Sequence, residues 1–289
     1  MQTVSRLDPL RTAVEGLRAG GKTVALVPTM GALHEGHLTL VREAAAQADH
    51  VVVSIFVNPR QFGANEDLDA YPRQLARDTE LLEREGVALL WAPDPEAMYP
   101  AGYATNISVA GVSEGLCGAD RPGHFDGVAT VVCKLFNQVR PDMAFFGEKD
   151  WQQLAVIRRM ARDLDLSFPQ ADAIHGVGIV RESDGLAMSS RNAYLSAEQR
   201  QAAAALPRAM RDAIAVIGSG PGEERALGNL RETLAVAGFS SVDYTELRDA
   251  DTLVPLANGA NTENARLFVA ARIGGTRLID NMSVAEEQG

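Results

Sequence analysis

Cysteine is scarce in this sequence. Only Cys117 and Cys133 occur among 289 residues. Two thiols are too few for a disulfide framework, and their separation does not match the paired spacing of a zinc site. We therefore expect a protein of a reducing compartment, and the cytoplasm is the simplest prediction.

Basic side chains are also in short supply. The sequence has 27 lysines and arginines against 38 aspartates and glutamates, a formal charge of −11. That balance repels nucleic acid and anionic lipid, so we predict neither as a partner and expect any bound anion to be small. No apolar run approaches the roughly 18 residues of a membrane span. Residues 1–20 carry charges at short intervals, so they lack the apolar stretch of a signal peptide.

What the sequence does contain is typical of a globular protein with a core. Apolar residues make up 46% and charged residues 22% of the chain. The length is about twice that of a typical domain of about 150 residues, which favours a large domain paired with a smaller one.

The first part of the chain alternates between two patterns. Short continuous apolar runs are typical of strands buried on both faces, and amphipathic stretches of two to four turns are typical of helices. The alternation predicts an α/β fold, a Rossmann-like doubly wound parallel sheet, with ligands outside the carboxyl ends of the strands. The predicted strands are residues 23–28, 50–57, 87–92 and 143–146, and the predicted helices are residues 9–17, 38–48, 73–85, 125–139 and 151–164.

The pattern changes after Val180. A segment rich in serine, aspartate, glycine and arginine covers residues 181–192 and precedes an alanine-rich helical pattern. We predict domains at 1–180 and 181–289, the second a smaller α+β domain. Its predicted helices are 197–216 and 223–236, and its strands are 242–247, 266–273 and 276–281, with a hairpin turn at Gly274-Gly275.

The densest chemical signal is the string PTMGALHEGH at residues 28–37, directly after the first predicted strand. His34 and His37 stand where a strand meets a helix, and unpaired N–H groups with the helix dipole favour an anion there. Gly31 and Gly36 would let a phosphate approach the backbone. An imidazole adds a donor for a charged phosphate oxygen. The alternative is that both histidines are packing residues, but the pair in this setting favours a nucleotide triphosphate site.

Several ordered blocks give a more specific interpretation. The H-x-G-H string is similar to the ATP signature of the nucleotidyltransferase and class I aminoacyl-tRNA synthetase superfamily, and the longer string resembles the pantothenate synthetase family. Resemblance to that family covers essentially the whole chain. It continues, in the family's order, through SIFVNPRQF at 54–62, RPGHFDGV at 121–128, FGEKDWQQ at 146–153 and MSSRN at 188–192.

This resemblance implies a ligase that condenses pantoate with β-alanine through a pantoyl-adenylate, consuming ATP and releasing AMP and pyrophosphate. It also implies Mg²⁺, a homodimer, and a small domain that closes over the nucleotide. The residues identify no protein ligand for the metal. Two alternatives stay open: a nucleotidylyltransferase of the same superfamily, and a non-catalytic ATP-binding module.

The resemblance also implies the site residues. His37 would be the proton donor, acting with His34 and Lys149. Pantoate and β-alanine would contact Asn58, Gln61 and Gln153. The expected ATP contacts are Met30, Gly31, Ala32, Leu33, His34, Glu35, Gly36, His37, Gly147, Glu148, Lys149, Asp150, Val180, Met188, Ser189, Ser190 and Arg191.

These residue types suit the implied chemistry. Adenylation needs charge neutralisation and fixed geometry rather than an enzyme nucleophile. Lys149 offers a compact cation, and Arg191 offers a guanidinium fork for pyrophosphate. Lys149 could equally be a solvated lysine between two acids. The proton acceptor for the β-alanine amine is not identified, since His124 could be that base or a structural residue. We also expect residues 58–71 to form a lid over the adenylate.

Overall fold

The large sheet has six parallel strands in the order β1-β4-β3-β2-β5-β6. The computed structural model describes residues 1–63, 66–218, 222–257 and 259–285. This sheet confirms the predicted Rossmann-like α/β fold. The strands are β1 Gln2–Val4, β2 Val24–Thr29, β3 His50–Ile55, β4 Leu89–Trp91, β5 Met143–Gly147 and β6 Ile174–Val177.

Helices cover both faces of this sheet. Alternate residues of β2 enter different cores: Val24 and Leu26 pack with α1, α6 and α7, whereas Ala25 and Val27 pack with α2 and α3. Burial on both faces explains why the strands read as continuous apolar runs. The helices are α1 Leu7–Leu17, α2 Glu35–Gln47, α3 Leu75–Arg84, α4 Pro95–Met98, α5 Leu116–Asp120, α6 His124–Val139 and α7 Trp151–Asp163.

A smaller antiparallel sheet follows, in the order β7-β8-β9. Gly274 and Gly275 have φ angles of 56° and 81° and form the turn between β8 and β9, which confirms the predicted hairpin. The helix predicted over 197–216 is in fact two helices, because the helical pattern is interrupted at Ala204. The elements are α8 Ala197–Ala203, α9 Ala205–Gly218, α10 Glu223–Val236, β7 Ser241–Asp249, β8 Ala265–Ile273 and β9 Thr276–Ser283.

Two edge strands of the large sheet, β1 and β6, were not predicted. β1 has three residues, two of them exposed, and β6 has one buried residue among four. Neither carries an apolar run, so only the pairing with a neighbouring strand reveals them.

The order in which strands are added to the large sheet reverses between β2 and β5. These strands are neighbours, with β3 and β4 on one side and β6 on the other. The carboxyl ends of β2, β3, β5 and β6 all lie at one edge of the sheet, because the strands are parallel. The predicted ligand-binding blocks that follow these strands therefore meet at the topological switch point, where α/β folds bind ligands.

Gly127 of α6 sets how closely this helix approaches the loop after β3. A Cβ at Gly127 would lie 2.2 Å from the Arg60 carbonyl oxygen and 2.7 Å from the Gln61 nitrogen. Both atoms belong to the short 3-10 helix Pro59–Gln61, so a glycine is needed for this backbone contact.

We expect Gly127→Ala to lower the free energy of unfolding by about 1–3 kcal/mol, the usual effect of overpacking. Denaturant titration measures this change. The matched control is Gly228→Ala in α10, where a Cβ meets no described atom within 4 Å. The control is expected to raise stability by about 0.5–1 kcal/mol. Wild-type stability of Gly127→Ala would contradict the close packing.

Candidate active site

The loop after β2 is held by a buried carboxylate. Gly31 and Ala32 have φ angles of 84° and 52°, which turn the chain back toward the sheet. The amides of Ala32 and Leu33 then donate to Asp78 of α3, at 2.8 and 2.9 Å. Asp78 is 1% exposed. Asp78 was not identified from the sequence. The signal that could have revealed it is an acidic residue on the buried side of an amphipathic helix.

His34 and His37 cap the start of α2 reciprocally. His34 Nδ1 accepts a hydrogen bond from the Gly36 amide at 3.2 Å, and His37 Nδ1 accepts one from the His34 amide at 3.3 Å. The ring centroids are 4.1 Å apart. Because each Nδ1 is an acceptor, the proton of each neutral ring lies on Nε2.

Both rings are neutral at pH 7. Burial, followed by the charge of Lys149, lowers the pKa of His34 to about 4. Burial and the neighbouring His34 lower the pKa of His37 to about 3. The pair therefore offers two Nε2–H donors without a fixed positive charge.

The helix start differs from the expected set of unpaired N–H groups. The Gly36 amide donates to His34 Nδ1, and the His37 amide donates to the His34 carbonyl oxygen at 2.8 Å. The amides of Ala32 and Leu33 already donate to Asp78. With these four amides paired, the imidazole N–H groups provide side-chain donors at this position.

Lys149 and Asp150 follow β5 in a short 3-10 helix. Lys149 Nζ lies 3.6 Å from an Asp150 carboxylate oxygen. Burial opposes ionisation of Asp150, but Lys149 and Arg191 outweigh it and hold the pKa of Asp150 below its usual range. Asn281 of β9 donates to the carbonyl oxygens of Glu148 and Lys149, both at 2.9 Å.

Asn281 thus ties the small sheet to the loop that carries Lys149. Sequence reasoning missed Asn281. The sequence signal for Asn281 is the polar pair Asp280-Asn281, which is buried between apolar neighbours in β9.

The three predicted amide side chains differ in their hydrogen bonds. Gln61 donates from Nε2 to the sulfur of Met30 at 3.0 Å, and its Oε1 accepts from Asn58 at 3.1 Å. Asn58 also bonds Gly127, Arg60 and Tyr99, so all of its hydrogen-bonding positions have protein partners. Asn58 therefore positions Gln61.

Gln153 is the third of these amide side chains. Within the described ranges it has no side-chain hydrogen bond, so all of its donors and acceptors are unused, whereas Gln61 keeps one N–H and one lone pair.

The segment that begins at Val180 forms another side of the site. The Val180 carbonyl oxygen accepts from the Met188 amide at 2.9 Å. Ser189 Oγ accepts from the Arg191 amide at 3.3 Å. The Arg191 guanidinium forms two hydrogen bonds, at 3.1 and 2.8 Å, to the carboxylate of Asp67 in the loop after β3.

A cavity of about 230 Å³ lies among these loops. It has apolar walls that include Phe56, Val131 and Phe146, the last two on α6 and β5. The predicted site residues that line it are Met30, His34, Gly36, His37, Asn58, Gln61, Gly147, Lys149, Asp150, Gln153, Val180, Met188, Ser189, Ser190 and Arg191.

Five predicted ATP contacts do not line this cavity: Gly31, Ala32, Leu33, Glu35 and Glu148. The first three form the turn held by Asp78. Glu35 pairs with Arg42, and Glu148 packs against Gly176 of β6. Contact of ATP with these five residues stays a prediction.

A second cavity of about 370 Å³ adjoins the first beneath the small sheet. The two cavities share polar residues at their boundary, so the site continues from one into the other. The shared residues are Arg121, His124, Lys149, Asp150, Gln153, Ser189 and Arg191.

A family model described as pantoate-beta-alanine ligase matches residues 2–283. The chain belongs to this family. It is 68% identical over 287 residues to the pantothenate synthetase of Novosphingobium aromaticivorans, covering 99% of this chain and 100% of that relative. It is 60% identical over 284 residues to the pantothenate synthetase of Sphingopyxis alaskensis, covering 98% and 100%.

Solved structures agree with this ligase assignment. A pantothenate synthetase from Thermus thermophilus superimposes with a TM-score of 0.90 at 48% identity, over 98% of this chain and 99% of that one. A pantoate-beta-alanine ligase from Francisella tularensis, complexed with beta-gamma ATP and beta-alanine, gives a TM-score of 0.82 at 31% identity, over 99% and 98%. The predicted family and the predicted ligase function, the joining of pantoate to β-alanine, are confirmed.

The ligase does not assemble a protein-only metal site in the part of the chain that is described. There, no three His, Cys, Asp or Glu side chains come together in a way that could hold a metal ion. Among the same residues, no helix is long and apolar enough to cross a membrane.

The histidine cap gives a prediction at Gly36. A Cβ there would lie 2.9 Å from Cε1 and 3.0 Å from Nδ1 of His34. Gly36→Ala therefore displaces the His34 ring, and we expect kcat/KM for ATP to fall roughly 10- to 100-fold, since small misplacements are costly. Steady-state kinetics measure this. Gly16→Ala in α1, where a Cβ meets no described atom within 4 Å, is the control. Equal kcat/KM values in the two variants would contradict the role of the cap.

Proposed function

We propose that the ligase works in two steps at the cavity between β2 and β5. The pantoate carboxylate attacks the α-phosphorus of ATP, and pyrophosphate leaves. The amine of β-alanine then attacks the acyl carbon of the pantoyl-adenylate, and AMP leaves with the bridging oxygen. The observation that carries this proposal is the pair of neutral imidazole N–H donors facing Lys149 across one cavity at the switch point.

The donors at the cavity suit the charge that develops in the first step. His34 and His37 donate hydrogen bonds from Nε2 to phosphate oxygens, with His37 the main donor. Lys149 places a mobile cation on the α-phosphate side. Asp150 orients the ribose hydroxyls or a neighbouring donor.

The segment after Val180 serves the remainder of ATP. Val180 contacts the adenine. Ser189, Ser190 and Arg191 hold the departing pyrophosphate through two hydroxyls and a guanidinium fork. Because the Asp67 carboxylate already binds the Arg191 guanidinium, a phosphate must either displace this carboxylate or share the guanidinium with it.

The pantoate subsite uses neutral groups. Gln61 and Gln153 can each donate and accept hydrogen bonds, which suits a hydroxyl-bearing acid. Full charge neutralisation by an arginine would weaken the carboxylate as a nucleophile. Met30, Phe56 and Phe146 supply apolar walls for the gem-dimethyl group, and Asn58 holds Gln61 in place.

Magnesium enters this scheme with its substrate. The described residues lack a carboxylate cluster for a resident ion, and Mg²⁺ usually keeps several waters and binds substrate phosphates. We infer that Mg²⁺ arrives on the triphosphate, where it neutralises phosphate charge.

We base the proposed assembly and location on the family resemblance and the composition. We infer a division into domains at 1–180 and 181–289, with the second closing over the nucleotide. Residues 58–71, of which 64 and 65 lie outside the described residues, act as the lid. We also infer a homodimer in the cytoplasm. Two free, buried cysteines support a reducing compartment. Analytical ultracentrifugation tests the dimer, and a monomer at micromolar concentration would contradict it.

Isotope transfer tests the two-step chemistry. Pantoate labelled with ¹⁸O in its carboxylate should give AMP carrying one label, together with pantoate-dependent exchange of pyrophosphate into ATP. A nucleotidylyltransferase would leave the nucleotide on its product, and a binding module would give no turnover. Unlabelled AMP would contradict an adenylate intermediate.

Substitution of His37 tests its donor atom. His37→Ala should reduce pyrophosphate exchange roughly 10²-fold or more, because the lost donor acts on charge that grows in the transition state. His37→Gln, whose amide N–H can approach the position of Nε2–H, should retain more activity than His37→Asn. His50→Ala, in β3 outside the cavity, is the control. Equal losses in the Gln and Asn variants would contradict donation from Nε2.

A further inference from the structure

The segment Arg121–His124 joins α5 to α6 and has no role in the steps above. The Arg121 side chain is 15% exposed and forms a bidentate pair with Glu66. Its Nε and Nη2 atoms donate to the two carboxylate oxygens of Glu66, at 2.7 and 2.5 Å. Nη2 also donates to the main-chain oxygen of Gln61, at 3.1 Å.

His124 fixes the other side of this guanidinium. Its Nδ1 lies 2.8 Å from the Gln61 carbonyl oxygen, which can only accept, so the ring proton lies on Nδ1. Nε2 is then an acceptor, 3.1 Å from Arg121 Nη1. Burial and the charge of Arg121 lower the pKa of His124 to about 4, so the ring stays neutral. The geometry leaves the Nε and Nη2 edge of Arg121 directed at a carboxylate.

Arg121 and His124 lie at the boundary of the two cavities and line both. Gln61, whose carbonyl oxygen they share, lines the first cavity next to the histidine pair. A molecule entering from the second cavity therefore meets the Arg121 guanidinium before it reaches the proposed acyl site.

The acceptor substrate has the chemistry to use this position. β-Alanine carries a carboxylate that needs a cation and an amine that must reach the acyl carbon. Among the three cations at the boundary, Lys149 and Arg191 already serve phosphate groups in the proposed reaction. Arg121 is the remaining one, and a planar guanidinium pairs with a carboxylate through two hydrogen bonds.

We propose that Arg121 binds the carboxylate of β-alanine in place of Glu66, with His124 as a positioning residue that holds the guanidinium. This inference rests on the proposed two-step function. Glu66 occupies the position when the substrate is absent. Burial opposes ionisation of Glu66, but the hydrogen bonds and charge of Arg121 outweigh it and hold the pKa of Glu66 below its usual range.

The test separates the two half-reactions. Arg121→Ala should raise the KM for β-alanine roughly 10- to 100-fold, the cost of losing a charged hydrogen-bonded partner, and leave pantoate-dependent pyrophosphate exchange within about twofold of wild type. Arg121→Lys should recover part of the loss, since it keeps the charge but not the fork. Arg18→Ala, which removes an ion pair with Asp142 at the opposite end of the sheet, should change neither half-reaction.

Two further measurements keep the proposal decidable if Arg121→Ala folds poorly. Glu66→Gln removes the competing charge and should lower the KM for β-alanine severalfold. The preference of the wild type for β-alanine over the uncharged acceptor 3-aminopropanol should shrink roughly tenfold or more in the double variant Arg121→Ala/Glu66→Gln, and by less in Arg121→Lys.

An unchanged KM for β-alanine in folded Arg121→Ala would overturn the assignment, as would an equal loss of pyrophosphate exchange. An unchanged acceptor preference in the double variant would overturn it too. Absence of pantoate-dependent exchange in the wild type would instead overturn the two-step function, and the Arg121 inference with it.

Discussion

The reciprocal hydrogen bonds at the start of α2 determine how this site can act. A helix start normally offers peptide N–H groups to an anion. Here the Nδ1 atoms of His34 and His37 accept hydrogen bonds from two peptide N–H groups. Each neutral ring therefore carries its proton on Nε2. These amides are thereby paired, and the Nε2–H groups are side-chain donors that can follow a phosphate oxygen as its charge changes. Neutral rings also avoid a large cost of burying two cations side by side.

Other parts of the chain hold the two histidines and Lys149 in position. Asp78 fixes the turn before the histidines, and Asn281 fixes the loop that carries Lys149. Arg191 and Asp67 join the segment after Val180 to the loop after β3. The site therefore depends on contacts among distant parts of the sequence, and a change in the small sheet reaches Lys149 through Asn281.

The fold was largely predictable because burial on both sheet faces leaves continuous apolar runs. β1 and β6 escaped prediction because edge strands of three or four residues carry little of that signal. The break at Ala204 also escaped, although Pro207 is a local signal for it, since proline lacks the N–H that would continue the helix from Ala203. The candidate site was predictable where residues form blocks after strands, as at His34 and Lys149.

Residues that act on other residues were not predictable in the same way. Asp78 and Asn281 are single polar side chains, and their roles exist only once the chain is folded. The same holds for the role of Asn58 in holding Gln61 and its neighbours, which uses all of its hydrogen-bonding positions, while its contact with substrate stays a prediction. The pairing of the Ala32 and Leu33 amides was not predicted, because their acceptor, Asp78, lies more than forty positions away.

The most direct test of the histidine cap is ¹⁵N NMR of ring-labelled histidines, with single substitutions assigning the five rings. The cap requires that His34 and His37 stay neutral, with the proton on Nε2, from about pH 5 to 8, because their pKa values are lowered to about 4 and 3. It also requires that both Nε2–H resonances shift when ATP is added. A proton on Nδ1 in either ring, or titration near the ordinary pKa of about 6.5, would contradict the arrangement on which the mechanism depends.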